Sequence, residues 1–200
     1  MYLRRTVSSI CIWLIALLAG CSSAASISEK ELEVLNEIIA DHVGAHQIFG
    51  LSLNQEAAEK FPSVKKMLRV QGSQGSFYAV LVSPQGYRAP IDLMVVINAE
   101  KNEVTGIKII QQDETPGYGE WLAEKWFTDR FRQKTVEKYL ERTVLEAKKP
   151  NEIIQITSAT ITTQAVLNGV NSAMGVYRET VLGEKADPVP LKVEGFILEE

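Results

Sequence analysis

Residues 157–163 read Thr157, Ser158, Ala159, Thr160, Ile161, Thr162, Thr163, or TSATITT, between an apolar run and a segment of helical periodicity. Upstream, Ile153, Ile154 and Ile156 have the β-branched character of a short buried strand. Downstream, Val166, Val170, Ala173, Met174, Tyr177 and Val181 recur at helical spacing, with a stop near Gly183. The hydroxyls therefore fall at a strand-to-helix junction. Free backbone N–H groups and the positive end of the helix dipole would favour a phosphate esterified to Thr160 there. A plainer role stands beside this one, with Thr162 or Thr163 capping the helix.

Upstream of this junction, Phe77–Val82, Ile91–Ile97 and Val104–Ile110 read as three strands. The polar turns between them make an antiparallel meander. The last strand runs into Gln111, Gln112, Asp113, Glu114, Thr115, Pro116, Gly117, Tyr118, Gly119, Glu120, where two glycines and a proline let the backbone bend close to a ligand. Thr115 and the loop N–H groups are candidates for binding a phosphate or a ring edge. Trp121, Leu122, Lys125, Trp126 and Phe127 then predict a helix, continued by a polar helix to about Ala147, with the aromatics assigned to the core.

Toward the N-terminus, Ser28 and Glu31 form a capping box, Ile27 and Leu32 a staple, and Leu32, Leu35, Ile38 and Ile39 one apolar face. These predict a helix over Ser28–His42. His42 and His46 are four apart beside Asp41, but Gly44 interrupts them and no metal site is assigned. Residues 57–70, broken by Pro62, predict a short helix and a connection; Leu191–Leu198 predicts an edge strand. The fold class expected is α+β, an antiparallel sheet flanked by helices.

Met1–Ala19 carries Arg4 and Arg5, then an apolar run too short for a comfortable membrane span, as a secretory signal does. It ends in Leu18, Ala19, Gly20, Cys21, which resembles the lipobox of bacterial lipoproteins. That resemblance implies a signal peptide over 1–20, lipid on Cys21 holding the chain to a membrane, and a tether over 21–27. The expected location is extracytoplasmic, on the periplasmic side of an outer or inner membrane in a Gram-negative host. With Cys11 lost and Cys21 lipidated, no thiol remains for catalysis, metal binding or a disulfide. The whole chain has a net charge of −4 and no basic stripe, which argues against nucleic acid as a partner. No Ser-His-Asp ordering or positioned carboxylate pair assigns a catalytic residue.

Two separate pieces, GYRAPIDLMVVINAEKNEVTGIKIIQQDETPGYGE over 86–120 and TSATITTQAV over 157–166, resemble one family. It is the FMN-binding domain found in the G subunit of Rnf-type electron-transport complexes and the C subunit of the sodium-pumping NADH:quinone reductase. The resemblance covers roughly 77–181 and implies a fold of FMN-binding-domain type. It makes 28–76 an N-terminal helical part and 77–200 the domain core. It implies FMN as cofactor, joined to Thr160 through a phosphoester, with Thr157, Ser158, Ala159, Glu114, Thr115, Pro116, Gly117 and Gly119 as the matching motif residues. It also implies a separate flavin transferase using FAD and magnesium for maturation, and a redox partner protein or complex.

Three departures stand out. Ser158 occupies the family's Gly, where a side chain would stand in the transferase's way; Ile154 occupies a family Asp; Arg88 and Ala89 stand where many members have glycine. The implied function is a lipid-anchored extracytoplasmic flavoprotein that relays electrons at a membrane surface. The alternatives are a lipid-anchored, non-redox binding module that kept the fold without flavinylation, and a reductase with its own substrate.

Overall fold

The computed structural model describes residues 27–40, 46–73, 75–191 and 193. The expected signal peptide over 1–20, with Cys11, and the positions Cys21, Asp41 and His42 lie outside the described residues. Helix α1 (Glu29–Ile39) begins at the predicted capping box, with Ser28 and Glu31 exchanging side-chain-to-backbone hydrogen bonds. Strand β1 (His46–Leu51), which carries His46, is followed by helix α2 (Gln55–Lys60). Next come β2 (Val64–Gly72), β3 (Gly75–Val82), β4 (Asp92–Asn98) and β5 (Glu103–Gln111). The five strands form one antiparallel sheet in sequence order.

The sheet is covered on both faces, which explains why its central strands are apolar nearly throughout. Phe77, Ala79 and Leu81 of β3, with Met94 and Val96 of β4, pack under Val34, Leu35, Ile38 and Ile39 of α1. The alternate positions Val80, Val82, Leu93, Val95 and Ile97 face the second core. That core is built on helix α4 (Thr160–Tyr177), which is buried on almost every side. Period-two alternation thus separates two cores rather than a core from solvent.

The N-terminal part is less helical than expected, since β1 and β2 extend the meander from three strands to five. Lys65, Lys66 and Arg69 give β2 a polar reading, while Met67, Leu68 and Val70 are fully buried along it. The predicted helix to Ala147 is also corrected. Only α3 (Lys125–Thr128) is α-helical, flanked by 3-10 turns at Gly119–Ala123 and Asp129–Phe131. Gln133 has φ 60°, and its N–H donates to the Val104 carbonyl, whose own N–H donates to Lys134 O. Bonding to the sheet edge therefore replaces helix continuation. Phe127 is buried as expected, whereas Trp121 and Trp126 are exposed at 42% and 47%.

Beyond this stretch, β6 (Glu141–Thr143) and β7 (Glu152–Ile154) pair in parallel, and β7 leads into α4 as predicted. The chain leaves α4 through a π-helical turn, Arg178–Leu182, and stops at Gly183, φ 69°. Leu191 belongs to no strand, although its carbonyl accepts from Gln85 N; residues 194–198 lie outside the described residues.

Gly175 sets how closely α4 approaches its neighbours. A Cβ there would fall within 3.0 Å of Phe61 Cε1 and the Tyr139 hydroxyl. Phe61 is fully buried, and the Tyr139 hydroxyl donates to the Asp187 carbonyl at 2.5 Å. Alanine gains about 1 kcal/mol over glycine in a helix, but overpacking costs about 1–3 kcal/mol. Gly175→Ala is therefore expected to destabilise the fold by up to about 2 kcal/mol in urea unfolding, and a raised midpoint would contradict this packing.

Candidate functional site

Three segments distant in sequence meet at the N-terminus of α4. Ile156 is buried, Thr157 is exposed, and Ser158 adopts φ 62° before the chain turns into Ala159 and the first helical residue, Thr160. Neither candidate threonine caps the helix. The N-cap is Ala159, with no side-chain cap bond. Thr163 Oγ1 instead accepts from Ile156 N at 3.1 Å, and Thr162 Oγ1 donates to Glu114 Oε2. Both hydroxyls tie the first turn to its surroundings and leave the helix end without a side-chain acceptor. That is the electrostatic setting an anion requires.

Glu114 is 3% exposed and joins the three segments. Its Oε2 takes the Thr162 hydroxyl, its Oε1 accepts from Arg88 N at 3.1 Å, and its own N–H donates to Gln112 Oε1 at 2.6 Å. A carboxylate buried this deeply must have its lone pairs satisfied. Two glycines make room for it. A Cβ on Gly86 would lie 2.6 Å from Glu114 Oε1, and one on Gly119 would lie 2.8 Å from Glu114 Cβ and 2.9 Å from Thr162 Oγ1. The Glu114 motif residue thus clamps the Arg88 loop to the first turn of α4.

The clamp frames a cavity of about 420 Å³ lined by Thr115, Gly119 and residues 158–162, with Tyr87 and Tyr118 on its loops. Of the residues expected at the site, Thr115, Gly119, Ser158, Ala159 and Thr160 line this one cavity. Thr157, Pro116 and Gly117 are not part of the lining; Gly117, φ 76°, shapes the loop behind it. Tyr87 and Tyr118 are 63% and 52% exposed and went unassigned from sequence. An aromatic between glycine- and proline-rich turns was the available signal. The volume suits a small organic ligand, the tyrosines offer apolar faces to a planar ring, and the uncapped helix suits a phosphate.

Thr160 is half-buried, and its hydroxyl donates to Gln155 Oε1 at 3.4 Å. Arg142 donates to the same oxygen and, through Nε, to Gln164 Oε1 at 3.3 Å. Ahead of the junction, Arg130 donates to the Ile154 carbonyl and lies 4.8 Å from the centroid of the Trp126 ring. Burial lowers its pKa from the usual arginine value.

A covered antiparallel sheet, an uncapped buried helix and an aromatic-edged cavity at its N-terminus define a domain built to hold a phosphate-bearing planar ligand. Residues 86–175 match the family model of the FMN-binding domain, and this match supports FMN as the cofactor. The chain is 28% identical over 173 residues to the G subunit of the ion-translocating oxidoreductase complex of Aliivibrio fischeri ES114, covering 83% of this chain and 80% of that protein. It is 37% identical over 103 residues to the G subunit of the Na(+)-translocating ferredoxin:NAD(+) oxidoreductase complex of Acetobacterium woodii, covering 50% of this chain and 49% of that one. The crystal structure of the C subunit of the Na(+)-translocating NADH-quinone reductase from Parabacteroides distasonis superposes with a TM-score of 0.53 at 14% identity, covering 76% of this chain and 96% of that one. The α+β fold of FMN-binding-domain type is thereby shown.

Ser158 has a conformational meaning that its neighbours in sequence do not reveal. At φ 62° an L-residue bears about 1–2 kcal/mol of strain, which outweighs the roughly 0.5–1 kcal/mol that glycine loses through unfolded-chain entropy. Ser158→Gly should raise stability by about 0.5–1 kcal/mol in chemical denaturation; a loss of stability would refute the strained assignment. Glu114→Ala should cost about 1–3 kcal/mol, because it strands the buried Thr162 hydroxyl and the part-buried Arg88 N–H. Glu114→Gln should cost less than about 1.5 kcal/mol, since Oε1 still accepts from Arg88 while the amide donates to Thr162 Oγ1. Equal losses for Ala and Gln in urea unfolding would show that charge, not bond pattern, holds the loops.

Proposed function

We propose that this chain is a lipid-anchored, extracytoplasmic flavoprotein that carries FMN covalently on Thr160 and relays electrons at a membrane surface. The observation that carries the reading is the position of Thr160, first in an uncapped helix and at the wall of the aromatic-edged cavity. The names of the relatives, subunits of ion-translocating oxidoreductase complexes, support electron transport within or beside such a complex.

FMN supplies one- and two-electron chemistry when bound. The chain's own residues supply placement. The α4 N-terminus would hold the phosphate, Tyr87 and Tyr118 would limit water at the ring, and Glu114 fixes the loops that carry them. An ester at the phosphate leaves the ring chemically unmodified, so attachment serves retention. Thr160 is an acceptor for the transferase and not a nucleophile in the chain's own reaction. The lipid on Cys21, reached through the 21–27 tether, would keep the domain at the membrane, and no helix among the described residues is long and apolar enough to cross one.

Ser158 and Ile154 favour a second reading, a lipid-anchored, non-redox module that kept the fold without flavinylation. Intact mass decides between them. Expressed with its leader beside a flavin transferase, the parent should gain the mass of one FMN, and Thr160→Ala should gain none while remaining folded. A folded, exported parent without added mass, beside a flavinylated control, would leave the second reading standing. Cys21→Ser should abolish the acyl mass and move the protein out of the membrane fraction. Retention of both would remove the lipid anchor from the assignment.

A further inference from the structure

We propose that Arg142 is the counter-ion of the phosphate joined to Thr160, held ready before attachment by Gln155 and Gln164. The inference rests on the Thr160 assignment and extends it to a residue outside both family motifs.

Arg142 lies on β6, beside Ile153 of β7 in the parallel register, so its backbone adjoins the strand that delivers the junction. Its guanidinium donates through one terminal nitrogen to Gln155 Oε1 and through Nε to Gln164 Oε1. Gln164 is one helical turn after Thr160 and shares its face of α4. Gln155 Oε1 accepts from both Arg142 and the Thr160 hydroxyl. One carbonyl oxygen therefore gathers the cation and the modification site.

The charge on this guanidinium has no acidic partner among the described residues. The two acids on its own strand pair are engaged elsewhere, Glu141 with Lys149 and Glu152 with Lys149 and two backbone N–H groups. Arg142 is only partly exposed and faces neutral amide oxygens alone. Its present acceptors carry no net charge, so an arriving anion adds a Coulombic attraction that the amide oxygens do not supply.

Attachment creates that anion and removes a competitor. The Thr160 Oγ–phosphorus bond forms as the pyrophosphate bond of FAD breaks; AMP leaves and the hydroxyl proton is released. Thr160 can then no longer donate, and Gln155 Oε1 loses one of its two donors. The phosphodiester left on Thr160 carries one negative charge, beside a guanidinium with five N–H donors and at the positive end of an 18-residue helix. Arg142 turns from Gln155 to the phosphate and stays braced by Gln164.

The test is a thermal cycle on the full chain, with parent, Arg142→Gln and Arg142→Lys each prepared with and without the transferase and weighed by intact mass. The inference expects Arg142→Gln to lower Tm in the loaded form by on the order of 5 °C more than in the unloaded form, with Arg142→Lys recovering part of the difference. The phosphorus-31 resonance of the loaded protein should move in the same order. A folded Arg142→Gln chain that is not loaded, with loading restored by Arg142→Lys, would also support a charge role. Equal losses in both forms and an unmoved resonance would overturn it and make Arg142 a brace between β6 and α4. A parent that gains no mass would remove the Thr160 assignment and this inference together, and that failure is read before any melting curve.

Discussion

The Glu114 carboxylate is the constraint around which the site is arranged. Its burial demands donors, and the chain supplies them from a loop 26 residues earlier and a helix 48 residues later. Satisfying one charge therefore fixes the position of the Arg88 loop relative to the first turn of α4. The glycines at 86 and 119 follow from the same demand, because any Cβ there meets the carboxylate or its partner. Tyr87 and Tyr118 stand beside these glycines, so the clamp sets the separation of the aromatic edges without touching the cavity. A hydrogen bond to an ionised partner, worth about 1.5–3 kcal/mol, is strong enough to order loops that bury little apolar surface of their own.

What was legible in the sequence follows from whether the deciding forces were local. The α1 capping box, β3, β4 and β5, and the β7-to-α4 junction are local patterns and stand as predicted. In β2 the lysines and arginine mask a strand whose apolar residues serve two different cores. Phe127, Phe131, Val136 and Leu140 are all buried at nearly helical spacing, yet from Gln133 onward the backbone pairs with the β5 edge instead. Periodicity records which residues are buried and not which backbone partner wins.

Within the site, contiguous motifs were readable and convergent residues were not. Thr115, Gly119 and 158–160 meet as expected because each lies inside a short recognisable stretch. Tyr87 lies inside the GYRAPI stretch, whose spacing marks the loop but not the side chain's place at the cavity, and Arg142 comes to the Gln155 amide beside Thr160 only through tertiary packing. Ser158 is a different case: its identity was visible, but its consequence required the dihedral. Left-handed backbone explains a glycine preference by conformation alone, before any question of access to the position.

The chain's charge sharpens the role of short-range fields. At −4 overall, with Arg4 and Arg5 included in that balance, the protein's net charge opposes an anionic cofactor. In the proposed attachment, orientation of the phosphate at Thr160 would draw on groups within a few ångströms, since solvent screens charges beyond roughly 10 Å. The α4 end provides fixed dipoles that cost no side-chain ordering, and the partly buried Arg142 a charge that solvent weakens less. In that reading the phosphate would be oriented by the local fields of the α4 end and Arg142 rather than by the net charge of the whole molecule.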